Sequence, residues 1–405
     1  MPIIHTGRIG YLPASYIIWI EGNIYYARDC QTGALDSDAS FDSLITRVIN
    51  GLPDCTPTVG GGSAPTGKTG ALYFKKGFYK PSSLITIPAG SVIALQGECN
   101  SGYCPVANVG EAYFGGTTIY SQDTQVLNLP KSPGGYPSTY LWLRDMELRV
   151  KNPVSYANIA AVNMDGWISG DIRNVNILSN YTAGVTRNVR FGLQMTGGAS
   201  STQKLIDNLH IYFFYSSGFN LNTTHITVDN LSIGGITGYS YANCLNLSND
   251  IRQHFGTIQL FSSTYGILFS QNRHVHVNQA HFESVTTPVY RSSGSGTLRF
   301  RNVILDTGVS WTGDLADPTK CEVDSLFNED ALTKRARNNG VATITTGTNS
   351  ITFAHNLITT PRIVLLGPTH AEVEDVRWTA DANNITLTVT NNVTGNRNIA
   401  WEAKV

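Results

Sequence analysis

Seven times between Leu143 and Leu305 the chain repeats one six-residue phrase: apolar, any residue, turn-former, apolar, any residue, apolar. The copies are Leu143-Arg-Asp-Met-Glu-Leu148, Ile172-Arg-Asn-Val-Asn-Ile177, Ile206-Asp-Asn-Leu-His-Ile211, Val228-Asp-Asn-Leu-Ser-Ile233, Phe255-Gly-Thr-Ile-Gln-Leu260, Val277-Asn-Gln-Ala-His-Phe282 and Phe300-Arg-Asn-Val-Ile-Leu305. Their turn-formers fall at Asp145, Asn174, Asn208, Asn230, Thr257, Gln279 and Asn302, with spacings from 22 (Asn208 to Asn230) to 34 (Asn174 to Asn208). So short an apolar unit cannot close a core alone. Stacked copies can, and a repeat of this length therefore predicts a solenoid.

Each repeat holds a second, alternating strand: Leu127-Asn-Leu129, Val162-Asn-Met164, Leu193-Gln-Met195, Phe219-Asn-Leu221, Leu245-Asn-Leu247 and Ile267-Leu-Phe269. Two short strands meeting at a turn-former, plus a third reached through a variable loop, make one triangular coil. Alternation sends the flanking apolar residues inward and the middle residue outward. Asn suits the turn because it tolerates the left-handed conformation and can hydrogen-bond to its copy in the next coil. Strands also begin earlier, at Ala71–Phe74, Leu84–Ile87, Val92–Leu95 and Thr117–Tyr120. Before them, Phe41, Leu44, Ile45, Val48 and Ile49 follow helical spacing, with Asp38 or Ser40 as N-cap and Gly51 beyond the end. An amphipathic helix there would close the open first rung.

Only 14% of the 405 residues are charged and the formal net charge is -1, against roughly 25% charged in an average soluble protein. No basic face for nucleic acid is foreseen. No apolar run of about 18 residues occurs, so membrane insertion is not expected. A neutral surface rich in hydroxyls, amides and aromatics suits sugars. Of six cysteines, Cys99 and Cys104 bound a tight loop that could close as a disulfide, and Cys30 with Cys55 could clamp the ends of the cap; neither spacing fits zinc. Cys244 opens a core strand and reads as a buried thiol.

The coils resemble the right-handed parallel β-helix family of pectate lyases and virus tailspikes. The entry is similar as well: Phe41-Asp-Ser-Leu-Ile, then Gly70-Ala-Leu-Tyr-Phe-Lys-Lys-Gly-Phe-Tyr79 and Ile87-Pro-Ala-Gly-Ser-Val-Ile-Ala-Leu-Gln-Gly97, with Lys76 where the family usually has Pro. The resemblance spans about residues 35 to 310 and implies an all-β chain. Its expected parts are an N-terminal segment and capping helix (1–69), a right-handed parallel β-helix of about nine to ten coils (70–310), a linker (311–340) and an antiparallel β-sandwich (341–405). That last part resembles the lectin-like modules of β-helix spike proteins through Gly340-Val-Ala-Thr-Ile, Phe353-Ala-His-Asn-Leu357, Thr360-Pro361 and Ala400-Trp-Glu-Ala403. Such modules commonly trimerise or bind glycans, so the resemblance implies a homotrimer.

Several constellations carry chemistry. Gly62-Ser-Ala-Pro-Thr-Gly67-Lys68-Thr69 fits a phosphate-loop pattern, but Pro65 lies inside it and a strand, not a helix, follows. Outward residues Asn128, Asn163, Gln194, Asn220 and Asn246 form an amide column, read either as a self-bonded ladder or as a carbohydrate-binding strip with loop tyrosines such as Tyr215 and Tyr241 stacking on sugar rings. A second outward column holds Arg144, Arg173, Asp207 and Asp229; Asp207 and Asp229 on neighbouring coils would stand about 5 Å apart, the separation of a retaining glycosidase pair. A surface charge column is the plainer reading of it. A third outward column runs Glu147, Asn176, His210, Ser232, Gln259 and His281. His274, His276, His281 and Glu283 lack a third ligand fixed by spacing, so no metal and no cofactor is expected, with calcium the one ion the acids could accept.

No secretory pattern opens the sequence, since Met1-Pro-Ile-Ile-His-Thr lacks a basic n-region. The expectation is an extracellular or virion-surface spike or fibre that binds cell-surface glycans. The alternatives are a polysaccharide hydrolase or lyase acting on the coil face, and a structural filament or surface-layer subunit.

Overall fold

A computed structural model describes residues 14–59, 62–63, 65–99, 115–121, 125–150, 160–179, 191–198, 204–212, 214, 216–223, 226–235, 243–248, 252–270, 274–294, 296–310, 313–317, 319–328, 337–357 and 359–405. The chain is a right-handed parallel β-solenoid with an N-terminal helix and two small antiparallel sheets at its C-terminal end.

The first face stacks ten strand segments in parallel, beginning with Gly67–Phe74 and Val92–Gly97 and ending with Leu298–Leu305 and Cys321–Asn328. The third face stacks eight, from Ile85–Thr86 to the end of His274–Ser293, which encloses seven full turns. Between them the second face runs from Gly77–Tyr79 and Thr117–Ser121 through the latter half of each phrase.

The three apolar positions of the phrase point inward, as expected. Leu143, Ile172, Ile206, Val228, Phe255, Val277 and Phe300 form one column in register, each at most 2% exposed. Burying each such side chain contributes on the order of 1.5–3 kcal/mol. The column continues to Val323, because Val323-Asp-Ser-Leu-Phe-Asn328 is an eighth copy paired in parallel with Phe300–Leu305. Its last apolar position is Asn328, which hides it within the stretch read as a linker.

The turn-formers divide into two sets. Asp145, Asn174, Asn208 and Asn230 adopt positive φ of 52–55° at the corner between the first and second faces. Thr257 and Gln279 do not, and Thr257, Gln279, Asn302 and Ser325 pair in register as ordinary strand residues; a β-branched Thr disfavours the left-handed region. In those coils Ser262 and Ser284 take the left-handed conformation instead. Arg252–Ser270 and His274–Ser293 turn the corner between the second and third faces within a single strand and require a tight bend.

The same corner packs closely elsewhere. A Cβ on Gly192 would stand 2.4 Å from Ile211 Cγ2, and one on Gly218 would stand 2.2 Å from Ile233 Cγ2. Cys244 occupies the next position in this column, fully buried, with its sulfur 3.4 Å from Ile233 O and 3.2 Å from Ser263 Oγ.

The helix spans Phe41–Gly51, is N-capped by Ser40, and buries the five apolar residues its spacing predicted. Ahead of it Tyr16–Glu21, Ile24–Asp29 and Leu35–Asp38 form an antiparallel meander that the sequence reading did not foresee, and Tyr16–Glu21 also pairs in parallel with Gly67–Phe74. Arg47 ties helix to meander through Asp36 and Asp38, both at 2.9 Å.

At the other end, Arg337–Ile344, Arg397–Lys404 and Ile363–Pro368 form one sheet; Ser350–Ala354, Asn384–Thr388 and Arg377–Ala380 form the second. They share a core that includes Ile344, Ile385, Leu387, Ile399 and Trp401. His355 of the Phe353–Leu357 motif is fully buried; its Nδ1 accepts from Leu357 N at 2.9 Å, so it shapes a turn.

Candidate functional site

The third face carries the amide column as expected. Asn128, Asn163, Gln194, Asn220 and Asn246 are register partners on successive strands, and the column continues through Leu268 to Tyr290. Asn163 Nδ2 donates to Asn128 Oδ1 at 3.0 Å, and Asn246 Nδ2 donates to Asn220 Oδ1 at 3.1 Å. Gln194 is one methylene longer and reaches past the column to Asp165 Oδ2 at 3.1 Å. Asp165 also accepts from Thr196 N at 2.6 Å and Thr196 Oγ1 at 2.9 Å, so this lone carboxylate of the strip is committed within it.

A primary amide offers two donors and two acceptor lone pairs. The ladder uses one at Asn220 and Asn246 and two at Asn163, where Oδ1 also accepts from Asp165 N at 3.1 Å. All five amides are half-buried. The ladder therefore holds its own side chains in place and still presents polar atoms to solvent. Beside it, two residues further along each strand, stand Thr196, Asn222, Ser248 and Ser270. Tyr215 and Tyr241, foreseen as stacking partners, lie outside the described residues. The aromatic pair that the structure does place here is Tyr265 and Tyr290, with ring centroids 5.0 Å apart and planes inclined by 29°. Continuing the column's period one coil past Leu268 would have found Tyr290.

The first face is charged. Tyr73, Gln96, Arg144, Arg173, Asp207 and Asp229 stand in register along it. Arg144 grips the buried Asp171 through two hydrogen bonds of 2.7 and 2.5 Å, and Arg173 Nε lies 3.2 Å from the same carboxylate. Arg173 stands in register with Asp207 but turns to Asp171. Asp207 Oδ1 accepts from Asn230 Nδ2 at 3.1 Å, joining the corner ladder in which Asn208 donates to Asn174 and Asn174 to Asp145, both at 2.8 Å. Asp229 fills the space that Gly256 leaves: a Cβ there would lie 2.2 Å from Asp229 Oδ1. Asp207 and Asp229 are neighbours on adjacent strands, as their spacing implied. Farther along, His254 pairs in register with His276, and Arg299 Nε lies 3.0 Å from Glu322. Among the described residues no three His, Cys, Asp or Glu side chains come together as a metal site.

The second face departs in part from expectation. Glu147 and Asn176 are 1% exposed and Ser232 is 7% exposed, so these members of the outward column are buried, while His210, Gln259 and His281 are half-buried. Glu147 pairs with Arg149 at 2.5 Å. His210 Nε2 lies 3.1 Å from Asn208 Oδ1; because the Asn208 amide nitrogen is spent on Asn174, the histidine must donate there. Its Nδ1 then accepts from the Tyr212 hydroxyl at 3.4 Å, and Tyr212 bonds to Ser232 Oγ at 2.7 Å. Burial lowers the pKa of His210, which matches this neutral tautomer.

The remaining sequence candidates resolve structurally. Lys68 of the phosphate-loop pattern caps the helix, its Nζ 2.9 Å from Asn50 O and 3.2 Å from Leu52 O, where a cation also complements the helix dipole. Cys30 and Cys55 are free, so the foreseen clamp between them is not formed in this structure: the Cys30 thiol points to Arg28 O and the Cys55 thiol to Gly90 O. Cys99 is free and Cys104 lies outside the described residues.

No protein-family model matches the chain, and no curated protein does. Among solved structures the chain is similar to the ORF18 protein of Geobacillus virus E2, at 12% identity over 93% of this chain and 84% of that one, with a TM-score of 0.37. It is also similar to the tailspike protein gp49 of Pseudomonas phage LKA1, at 11% identity over 82% of this chain and 66% of that one, TM-score 0.30. A third is the tailspike gp49 of Acinetobacter baumannii bacteriophage Fri1, a capsular polysaccharide depolymerase, at 7% identity over 83% and 79%, TM-score 0.28. These likenesses concern fold alone and assign no residue.

Proposed function

We propose that the chain is a spike- or fibre-like surface protein, extracellular or on a virion, that binds a glycan along the third face of its solenoid. The observation that carries this reading is the in-register amide column Asn128–Asn163–Gln194–Asn220–Asn246, flanked by hydroxyls and presenting unused donors and acceptors at every coil. Such a strip offers hydrogen bonds to sugar hydroxyls at regular intervals without a charge to desolvate. The terminal sandwich is the natural place for three copies to meet, and the assembly proposed is a homotrimer.

Affinity electrophoresis through gels containing neutral polysaccharides (dextran, mannan, a galactan) or acidic ones (pectate, alginate) tests the reading. Selective retardation in a neutral gel is expected. Equal mobility in every gel would reject it.

A second reading is favoured by one observation, the adjacency of Asp207 and Asp229 on neighbouring strands. They would act as nucleophile and acid–base in a retaining glycoside hydrolase. Release of reducing ends by the wild-type protein, abolished in Asp207→Asn and in Asp229→Asn, is the result this reading requires.

A further inference from the structure

The third-face column changes character at its C-terminal end. Five amides give way to Leu268 and then to Tyr290, which is 42% exposed and stacks against Tyr265. The fold does not demand an aromatic there. Inward positions on the same strands, Ile267, Phe269 and Val289, already fill the core at 0% exposure. The short 3-10 turn Gly313–Ala316 packs beside this strand yet leaves Tyr290 open. A solenoid that only needed to stay soluble would place a polar residue at this outward position, as the five strands from Asn128 to Asn246 do. The exposed ring and the Leu268 side chain instead make an apolar platform continuous with a hydrogen-bonding strip.

We propose that Tyr290, supported by Tyr265, is the anchoring subsite of the third face and takes one pyranose ring of a linear, neutral glycan whose length runs along the amide column. The inference rests on the glycan-binding reading above. A sugar ring has one face of C–H groups, which stacks on an aromatic, and an equatorial edge of hydroxyls, which needs donors and acceptors. The platform supplies the first and Asn246, Ser248 and Ser270 on the adjoining strands supply the second. From Asn128 to Tyr290 there are seven strands, and six intervals at ~4.8 Å give a strip of roughly 29 Å, long enough for several sugar units in a row. The glycan is neutral because, among the described residues, the strip carries one carboxylate and one ammonium, Asp165 and Lys131, which offset each other across Thr196: Asp165 accepts from Thr196 N and Oγ1, and Lys131 Nζ is bonded to Thr196 O at 3.3 Å.

The test measures retardation in gels of graded dextran, mannan or galactan content for wild type, Tyr290→Ala, Tyr290→Phe, Tyr265→Ala and the strip variant Asn246→Leu, with thermal melting of each as a folding control. Expected are retardation of the wild type, a roughly five- to tenfold weaker apparent affinity for Tyr290→Ala, a smaller loss for Tyr265→Ala, and near-wild-type behaviour for Tyr290→Phe, which keeps the ring. Wild-type affinity in Tyr290→Ala together with loss in Asn246→Leu overturns the subsite and leaves the glycan-binding strip standing. No retardation of the wild type in any of the three polymers overturns both.

Discussion

The first and third faces of this solenoid share coils, spacing and core, and differ in how they treat their outward residues. On the first face several charges pair with one another: Arg144 and Arg173 converge on Asp171, Arg299 meets Glu322, and Asp207 is held by the Asn230 amide. On the third face neutral amides hold each other in pairs and keep capacity in hand. Identical geometry therefore yields a face whose charges are largely engaged with one another and a face whose amides keep capacity to bind. An ion pair uses most of what its charges offer, and exposing those charges to a ligand first costs the pair. An amide ladder gives up far less.

The largest stability effect should fall on the first face. Asp171 is buried and serves two guanidinium groups, so Asp171→Asn removes the charge that both converge on, and a loss of about 3 kcal/mol is expected in urea unfolding with an unchanged slope. A loss below about 1 kcal/mol would mean that the ion cluster contributes little and that the two faces differ less than proposed.

An effect of similar size lies in the core that both faces share. Lys204 begins a first-face strand with its side chain 1% exposed, and burial pushes its pKa down from 10.5 to about 8. Below pH 8 both folded and unfolded states carry the proton, and the fold bears the cost of a buried charge. Between pH 8 and 10.5 the folded state releases its proton while the unfolded chain keeps it, so stability rises with pH, by about 3 kcal/mol in all. Lys204→Met should be more stable than wild type at pH 7 and the difference should shrink steadily towards pH 10.5. A difference that does not vary with pH would contradict this.

Smaller effects sharpen the comparison at the corners. Gly218→Ala places a methyl against Ile233 beneath the third face and should cost about 1–3 kcal/mol by overpacking. Asn208→Ala, at the corner between the first and second faces, loses hydrogen bonds to Asn174 and His210 and puts Ala at φ 52°, for about 2–3 kcal/mol together. Asn208→Gly keeps the conformation and should recover roughly half of that loss, as read from thermal melting. Equal melting of the two variants would show that the hydrogen bonds, not the backbone, matter there.

Much of this was legible in the sequence wherever the residue's role is set by periodicity. The phrase identified the inward columns of the first two faces, the alternating second strand those of the third, and the amide column fell into register strand by strand. Besides the N-terminal meander, three features of the coils escaped it for separate reasons. Cys321–Asn328 hid because its last apolar position is Asn328. The left-handed corners at Ser262 and Ser284 depend on the length of the connection in each coil, which a six-residue phrase does not encode. The second face looked polar and therefore solvent-exposed, yet Glu147, Asn176 and Ser232 are buried, since alternation says which way a side chain points and not what lies beyond it. For the site, Asp207 and Asp229 were placed together correctly, but the true partner of Arg173 is Asp171, one step from the column being read.

The central claim, that the neutral face binds and the charged face is spent on itself, reduces to one comparison of variants. Affinity electrophoresis in the neutral polysaccharide that retards the wild type should show retardation abolished in Asn220→Leu/Asn246→Leu and unchanged in Asp207→Asn/Asp229→Asn. The reverse pattern, with binding lost from the first-face pair and kept by the third-face pair, would contradict the account.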